Sequence, residues 1–556
     1  MNARFARSTP ALALALLGSV ARAQGPGPLP PPPPPPLGNP QTPAKINLGK
    51  LLFWDEQLSS TRTVSCATCH IPEIGGSDPR SDPDLAGSTH PGFDAIFGND
   101  DDVHGSPGVI RSDASARYQS SATFGLSAQV TPRKAPSVIN AAYAPLLFWD
   151  GRATGTFIDP ATGQVALQQG AALESQAIAP LVNDVEMAHM GRSWPEVIER
   201  VIASRPLALA QDVPPALAAF VANRSYPQIF QEAFGTPVVT APRIAMAIAS
   251  YERTQFSNQA PIDTFFGGQP NALTPLEQQG LQVFNSPQAS CVTCHTGNLF
   301  TNQTFRYIGV RPTNEDVGRF AVTNNPGDLG RMRVPSLRNV ELRAPYFHNG
   351  SARTLEDVVA FYNRGGDFDA PNKDPLIRPL GLTVQQRAAL VAFLRRPLSD
   401  PRVAAAQAPF DHPTLFAGSS RQPELVGGGH AGSGGFTPRM IAIEPPLVGN
   451  PTFTVGIERG LGGAFAGLVI DLAHNPIGAP FAGAANRIPR TTTGHLYRVG
   501  PLQGAGAGNG WTSIVISIPA DPSLIGRPLY GQWFVRDAGS GGLFCSSEVF
   551  HLTHFD

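Results

Sequence analysis

Two short segments, Cys66-Ala67-Thr68-Cys69-His70 and Cys291-Val292-Thr293-Cys294-His295, constrain this chain more than any other feature. Two thiols three residues apart reach the two vinyl groups of one haem, and the adjacent histidine is then placed as proximal iron ligand. One match is weak; two, using four of the five cysteines, predict two covalently bound haem c groups. A structural zinc site needs four protein ligands, whereas each segment offers three with no obvious fourth partner nearby. Cys545 is left over and is expected to be a buried small apolar side chain.

At 556 residues the chain is too long for one hydrophobic core, so about two to four domains are expected. Lys+Arg 41 against Asp+Glu 42 gives a net charge of −1, which removes the positive footprint of a nucleic-acid binder. Only 15% of residues are charged, and Gly 57 plus Pro 56 predict abundant loops. Arg4 and Arg7, the apolar run from Ala11 to Val20 and Ala21-Arg22-Ala23 read as a cleavable signal peptide, with Gln24 as the mature start. No stretch is apolar for long enough to span a bilayer, so a periplasmic or otherwise exported protein is expected.

The consecutive prolines Pro30 to Pro36 read as an extended spacer. From about Leu48 to Pro397 helix signals dominate: capping boxes begin at Thr274 and Thr383, and Thr354 opens a helix ended by Gly365-Gly366. On that last helix Leu355, Val358 or Val359, and Tyr362 share one face. After Asp400 the composition changes to a Gly-rich stretch, Gly427 to Gly435, and then short β-type runs at Phe453 to Glu458, Gly467 to Ala473, Trp511 to Ile518, Leu529 to Arg536 and Glu548 to Thr553. The expected organisation is a signal peptide at 1–23, a Pro-rich linker at 24–45, haem domains at 46–268 and 269–400, a Gly/Pro-rich linker at 401–436 and a β-sandwich-like accessory domain at 437–556. His474, His495, His551 and His554 in the last segment lack metal-ligand spacing.

Beyond the haem segments, the runs LGKLLFWDEQLSSTRTVSCATCH, RKAPSVINAAY, FWDGRA, ESQAIAPLVNDVEMAHMG, VPSLRNVELRAPYFHNG and TLEDVVAFYNRGG occur in that order. In these the chain resembles the bacterial di-haem cytochrome c peroxidase and MauG family over about Leu48 to Pro397. The resemblance implies two mostly helical cytochrome c-like domains with facing haems. The fold class expected for the whole chain is therefore mainly α, followed by a small all-β sandwich-like C-terminal domain. It also implies a tryptophan between the haems, matching Trp149, and a glutamine, a proline and a glutamate on the open face of the first haem, matching Gln176, Pro180 and Glu186. About seventeen extra residues separate Trp149 from Glu186, including a loop from Phe157 to Gln169. Chemistry favours Glu186 as the working carboxylate, because breaking a peroxide bond needs a proton carried from one oxygen to the other in a dry pocket.

Methionine-ligated members hold the second haem iron with a methionine fourteen residues after the histidine of PYFH; here that place is Tyr362. MauG-type members carry tyrosine there, and a phenolate favours oxidised iron where a thioether favours reduced iron. Tyr362 as a core aromatic is the bland alternative, with Met332 as the fallback ligand. The family's blocking distal histidine falls on Ala86, with His90 and His104 out of register, so a five-coordinate resting iron opposite His70 is expected. The family calcium site would use the carbonyls of Arg343 and Pro345, but its asparagine is replaced by Lys134, which argues against calcium. MauG's surface tryptophan before the second haem segment is Ala289 here.

These readings converge on an exported cytochrome-c peroxidase-type haem oxidoreductase. It would reduce hydrogen peroxide with electrons from a small cytochrome c or cupredoxin. The alternatives are a MauG-like oxidase acting on an organic or protein substrate, and a non-catalytic di-haem electron carrier or redox sensor.

Overall fold

The structure, a computed structural model, describes residues 29–474 and 494–556, with the backbone of two short strands, Ala479–Phe481 and Ala484–Asn486, between them. The expected signal peptide lies outside the described residues. Within them no helix is long and apolar enough to cross a membrane.

The longer helices begin where a threonine precedes a proline or a capping residue. Thr42 caps helix Pro43–Trp54, Thr240 caps Ala241–Glu252, Thr274 caps Pro275–Asn285 and Thr383 caps Val384–Leu394. Each haem segment has a pair of these helices crossing beside it, and each crossing depends on a glycine. A Cβ on Gly49 would lie 1.9 Å from the Ala247 carbonyl oxygen, and one on Gly280 would lie 2.0 Å from that of Ala389. Around the first crossing Leu48, Leu52, Phe53 and Trp54 pack with Ile244, Ile248 and Tyr251. Around the second, Val283 and Phe284 pack with Leu390, Phe393 and Leu394. Arg338 joins Asp263 at 2.6 Å and 2.9 Å beside the second core, and Ser257, whose backbone Asn140 bonds in both directions and whose hydroxyl accepts from Asn339 at 3.0 Å, ties the two regions together.

The expectation of a mainly α chain is corrected by the structure: 29% of the chain is helix and 19% strand. The reason is visible in the elements. The longest described helices have 12 residues, and glycines and prolines break the chain between them into turns and short hairpins. The extra loop after Trp149 is one such hairpin, Phe157–Ile158 with Val165–Leu167, anchored by fully buried Phe157 and with residues 160–164 exposed.

The C-terminal region supplies most of the strand. One antiparallel sheet runs Arg439–Ile441, Phe453–Gly462, Gly506–Ile516. The other runs His495–Pro501, Phe465–Asp471, Pro528–Arg536, Phe544–Thr553, Glu424–Val426. Phe453, Val455 and Ile457 of the first sheet share a core with Leu468, Trp533 and Phe550 of the second, and Cys545 is buried there as expected. This sandwich is fastened to the first haem region. Tyr118 donates its hydroxyl to Glu444 at 2.9 Å, Arg62 reaches Thr452 Oγ1 at 2.6 Å, Thr454 donates to the Ala116 carbonyl at 2.9 Å, and Glu458 accepts from the Leu126 amide at 3.1 Å. Tyr118, Ile110 and Leu126 pack on Ile441 at the same seam.

Candidate active site

A covalently held haem needs two accessible thiols and an imidazole that keeps one nitrogen free, and both segments meet that demand. Cys66–Cys69 forms one helical turn, so both sulfurs and His70 face a single cavity of about 490 Å³. His70 Nδ1 lies 3.1 Å from the Gly76 carbonyl, which assigns its proton and leaves Nε2 for a metal. His295 repeats the device on the Phe300 carbonyl at 3.0 Å, in a second cavity with Cys291 and Cys294. Burial lowers the pKa of His70 and brings that of His295 down to about 4, so both rings are neutral and fit to ligate iron. These donor sets fit haem c.

Gln176, on helix Ala172–Ala177, and Pro180, opening the turn Pro180–Val182, line the first cavity together with Glu186. The backbone around Glu186 is held from several sides. Asn183 Oδ1 accepts from the amides of Val185 and Glu186 at 2.9 Å and 3.1 Å, Val109 N donates to the Val185 carbonyl at 3.1 Å, and Ser60 N donates to the Met187 carbonyl at 2.8 Å. Gly108 permits that approach: a Cβ there would lie 1.9 Å from the Val185 oxygen. Burial raises the pKa of the Glu186 carboxyl, with the Arg152 guanidinium pulling the other way.

Trp149 lines both cavities. Its indole Nε1 donates to the Lys134 carbonyl at 2.7 Å, its own carbonyl accepts from Arg333 N at 2.8 Å, and its ring meets His348 edge-on at 6.2 Å. Tyr362, on helix Leu355–Arg364, faces the second cavity with Leu355, Val358 and Val359, as the shared helix face requires. Burial drives its phenol pKa upward. Met332, the fallback ligand, lines the same cavity from the short strand Met332–Arg333.

His90 is the residue that spacing overlooked. The hairpin Thr89–His90 with Val103–His104 brings its ring to the wall of the first cavity, and its Nδ1 is buried without a hydrogen-bond partner. Only the pairing of two distant loop segments selects it, and no motif encodes that pairing. His104 is on the other strand of the hairpin and does not line the cavity.

The calcium donors do not fit a cation. The Arg343 carbonyl accepts from Lys134 Nζ at 3.2 Å, and the same nitrogen donates to Ser77 Oγ at 2.6 Å. Lys134 is 4% exposed, and burial brings its pKa down to about 7. The ammonium form would repel a cation, and the neutral amine would offer one nitrogen to a metal that takes oxygen ligands. Ala289 is buried, so no surface aromatic precedes the second haem segment.

The model of the di-haem cytochrome c peroxidase family matches residues 43–271. A cytochrome-c peroxidase IdrP1 of Denitromonas iodatirespirans is 30% identical over 389 residues, covering 64% of this chain and 82% of the relative. The methylamine utilization protein MauG of Methylophilus methylotrophus is 30% identical over 363 residues, covering 65% of this chain and 84% of the relative. A second cytochrome-c peroxidase IdrP1, from Pseudomonas sp. (strain SCT), is 29% identical over 410 residues, with 68% and 85% covered.

Proposed function

The chain belongs to the di-haem cytochrome c peroxidase family, and from that premise we propose how its own residues carry out the reaction. It is a haem oxidoreductase that reduces hydrogen peroxide with electrons from a redox protein. We infer that Cys66 and Cys69 hold one haem with His70 as its ligand, and that Cys291, Cys294 and His295 hold the other. When bound, the first haem supplies the redox centre at which the O–O bond is cleaved.

Glu186 does the proton work. Its carboxylate takes the proton from one peroxide oxygen and returns it to the other, so the departing oxygen leaves as water. Gln176 and Pro180 shape the wall beside it and exclude bulk solvent. Trp149 spans the wall between the cavities and carries electrons across, and Tyr362 ligates the second iron. Supporting this reading is one observation above all: His70, Gln176, Pro180, Glu186 and Trp149 line a single cavity, and Trp149 alone of these also lines the second.

The donor is a small cytochrome c or cupredoxin in this reading. Export is supported by the signal-like N-terminus and by the covalent haem segments. Mixing diferric holoenzyme with peroxide and each reduced donor gives sustained donor oxidation in a two-to-one ratio to peroxide; no turnover with any donor overturns the assignment. Tyr362 is the observation favouring a MauG-like oxidase as the second reading, and oxidation of an organic substrate without any redox protein is its signature.

In the resting enzyme no side chain of this chain would block the peroxide side of a haem held by His70. The ferric holoenzyme then shows a high-spin signal that His90→Ala leaves unchanged. A low-spin signal that becomes high-spin in His90→Ala makes His90 the blocking ligand instead.

A further inference from the structure

Between the two haem cavities lies a third, of about 100 Å³, whose walls carry four cationic side chains: Lys134, Arg333, Arg338 and Arg343. No carboxylate lines it among the described residues. Arg338 is committed to Asp263. The other three form no ion pair among the described residues. Arg333 donates to Gln303 Oε1 at 3.0 Å, Arg343 donates to the Ser336 carbonyl at 2.5 Å, and Lys134 donates to Ser77 and the Arg343 carbonyl. The Nε atoms of both Arg333 and Arg343 are buried with no acceptor. Uncompensated buried cations and orphaned N–H groups are costly, so they point to an anionic group that completes the site.

The position of the cluster says which anion. Arg333 lines all three cavities, and Lys134 lines the first and the third. A haem held by Cys66, Cys69 and His70, and one held by Cys291, Cys294 and His295, each bring propionate carboxylates, which match guanidinium donors in charge and fork geometry. Calcium fits this place badly, since it would meet three cations and no carboxylate.

We propose that Lys134, Arg333 and Arg343 form a fixed cationic cluster that receives the haem propionates and takes the place of a divalent metal ion between the two haem cavities. The cluster also positions Trp149, whose indole N–H is bonded to the Lys134 carbonyl and whose carbonyl is bonded to the Arg333 amide. The inference rests on the haem assignment above but not on the peroxidase chemistry.

The test is spectroelectrochemical titration of the holoenzyme without peroxide. A cation beside a haem favours its reduced state, so Arg333→Met shifts both haem potentials downward, whereas Lys134→Met shifts chiefly the first. In the wild type, neither chelation by EGTA nor added calcium moves either potential or the haem spectra, and calorimetry with calcium chloride detects no binding. One calcium bound per chain with a change in potential overturns the proposal, as do potentials unmoved in both variants. Lys134→Arg and Arg333→Lys keep the charge and retain potentials near the wild type; if they shift as far as the methionine variants, the effect is packing and the proposal fails. If potentials follow the prediction but peroxide turnover is absent, the cationic cluster stands and the peroxidase assignment falls.

Discussion

Replacing Glu186 with glutamine lowers the rate of reaction with hydrogen peroxide by about 10²–10⁴-fold, the usual share of a positioned acid–base group. The amide keeps the shape of the side chain and cannot accept the proton. The backbone on either side is held by Asn183, Val109 and Ser60, so the substitution leaves the fold and both haem attachments unchanged. Stopped-flow mixing with peroxide reads the rate, and the absorption spectrum of the resting enzyme reports that the haems are intact. A pH profile sharpens the assignment. Burial raises the Glu186 pKa, so the carboxylate is populated only above a midpoint higher than the ordinary value of about 4.3. The wild-type rate therefore rises with pH through that raised midpoint and falls on acidification, and in Glu186→Gln this limb disappears. An unchanged rate in the variant would remove Glu186 from the chemistry.

Tyr362→Met raises the potential of the second haem by more than about 0.1 V, a modest part of the ~0.8 V that axial ligation commands. A phenolate stabilises ferric iron, and its replacement by a thioether transfers the advantage to ferrous iron. Potentiometric titration of both haems is the measurement, and the first haem serves as the internal control. The same cavity contains Met332, and Met332→Leu discriminates between them: it leaves the potential in place if Tyr362 is the ligand and displaces it if Met332 is. The phenol begins with a pKa driven up by burial, so iron must supply the charge that ionises it.

The haem segments, the caps and the ordered motifs were legible in the chain because each is local. Thr274, Thr354 and Thr383 open helices where their capping spacing predicts, and the helix that places Tyr362 ends at Gly365, whose φ of +92° suits glycine. All five β-type runs read from the sequence fall on strands, but edge strands Glu424–Val426 and Arg439–Ile441 were not legible, since three residues carry no period. Overall class misled for a related reason. The helix signals in the haem regions are strong but brief, and the segments between them, rich in glycine and proline, outweigh them in length. His90 and the pairing of Lys134 with Ser77 and Arg343 depend on contacts across large sequence separations, and nothing local announces them.

The seam between the sandwich and the first haem region has a mechanical consequence. Tyr118, Arg62, Ala116 and Leu126 engage Glu444, Thr452, Thr454 and Glu458, with apolar packing at Ile441 between them. Losing one such buried polar contact leaves a group short of its partner, at a cost of about 1–3 kcal/mol. The module is thus an outrigger bolted to the hull, not a float on a line: anything it grips is held at a set bearing and distance from the cavity that Glu186 lines.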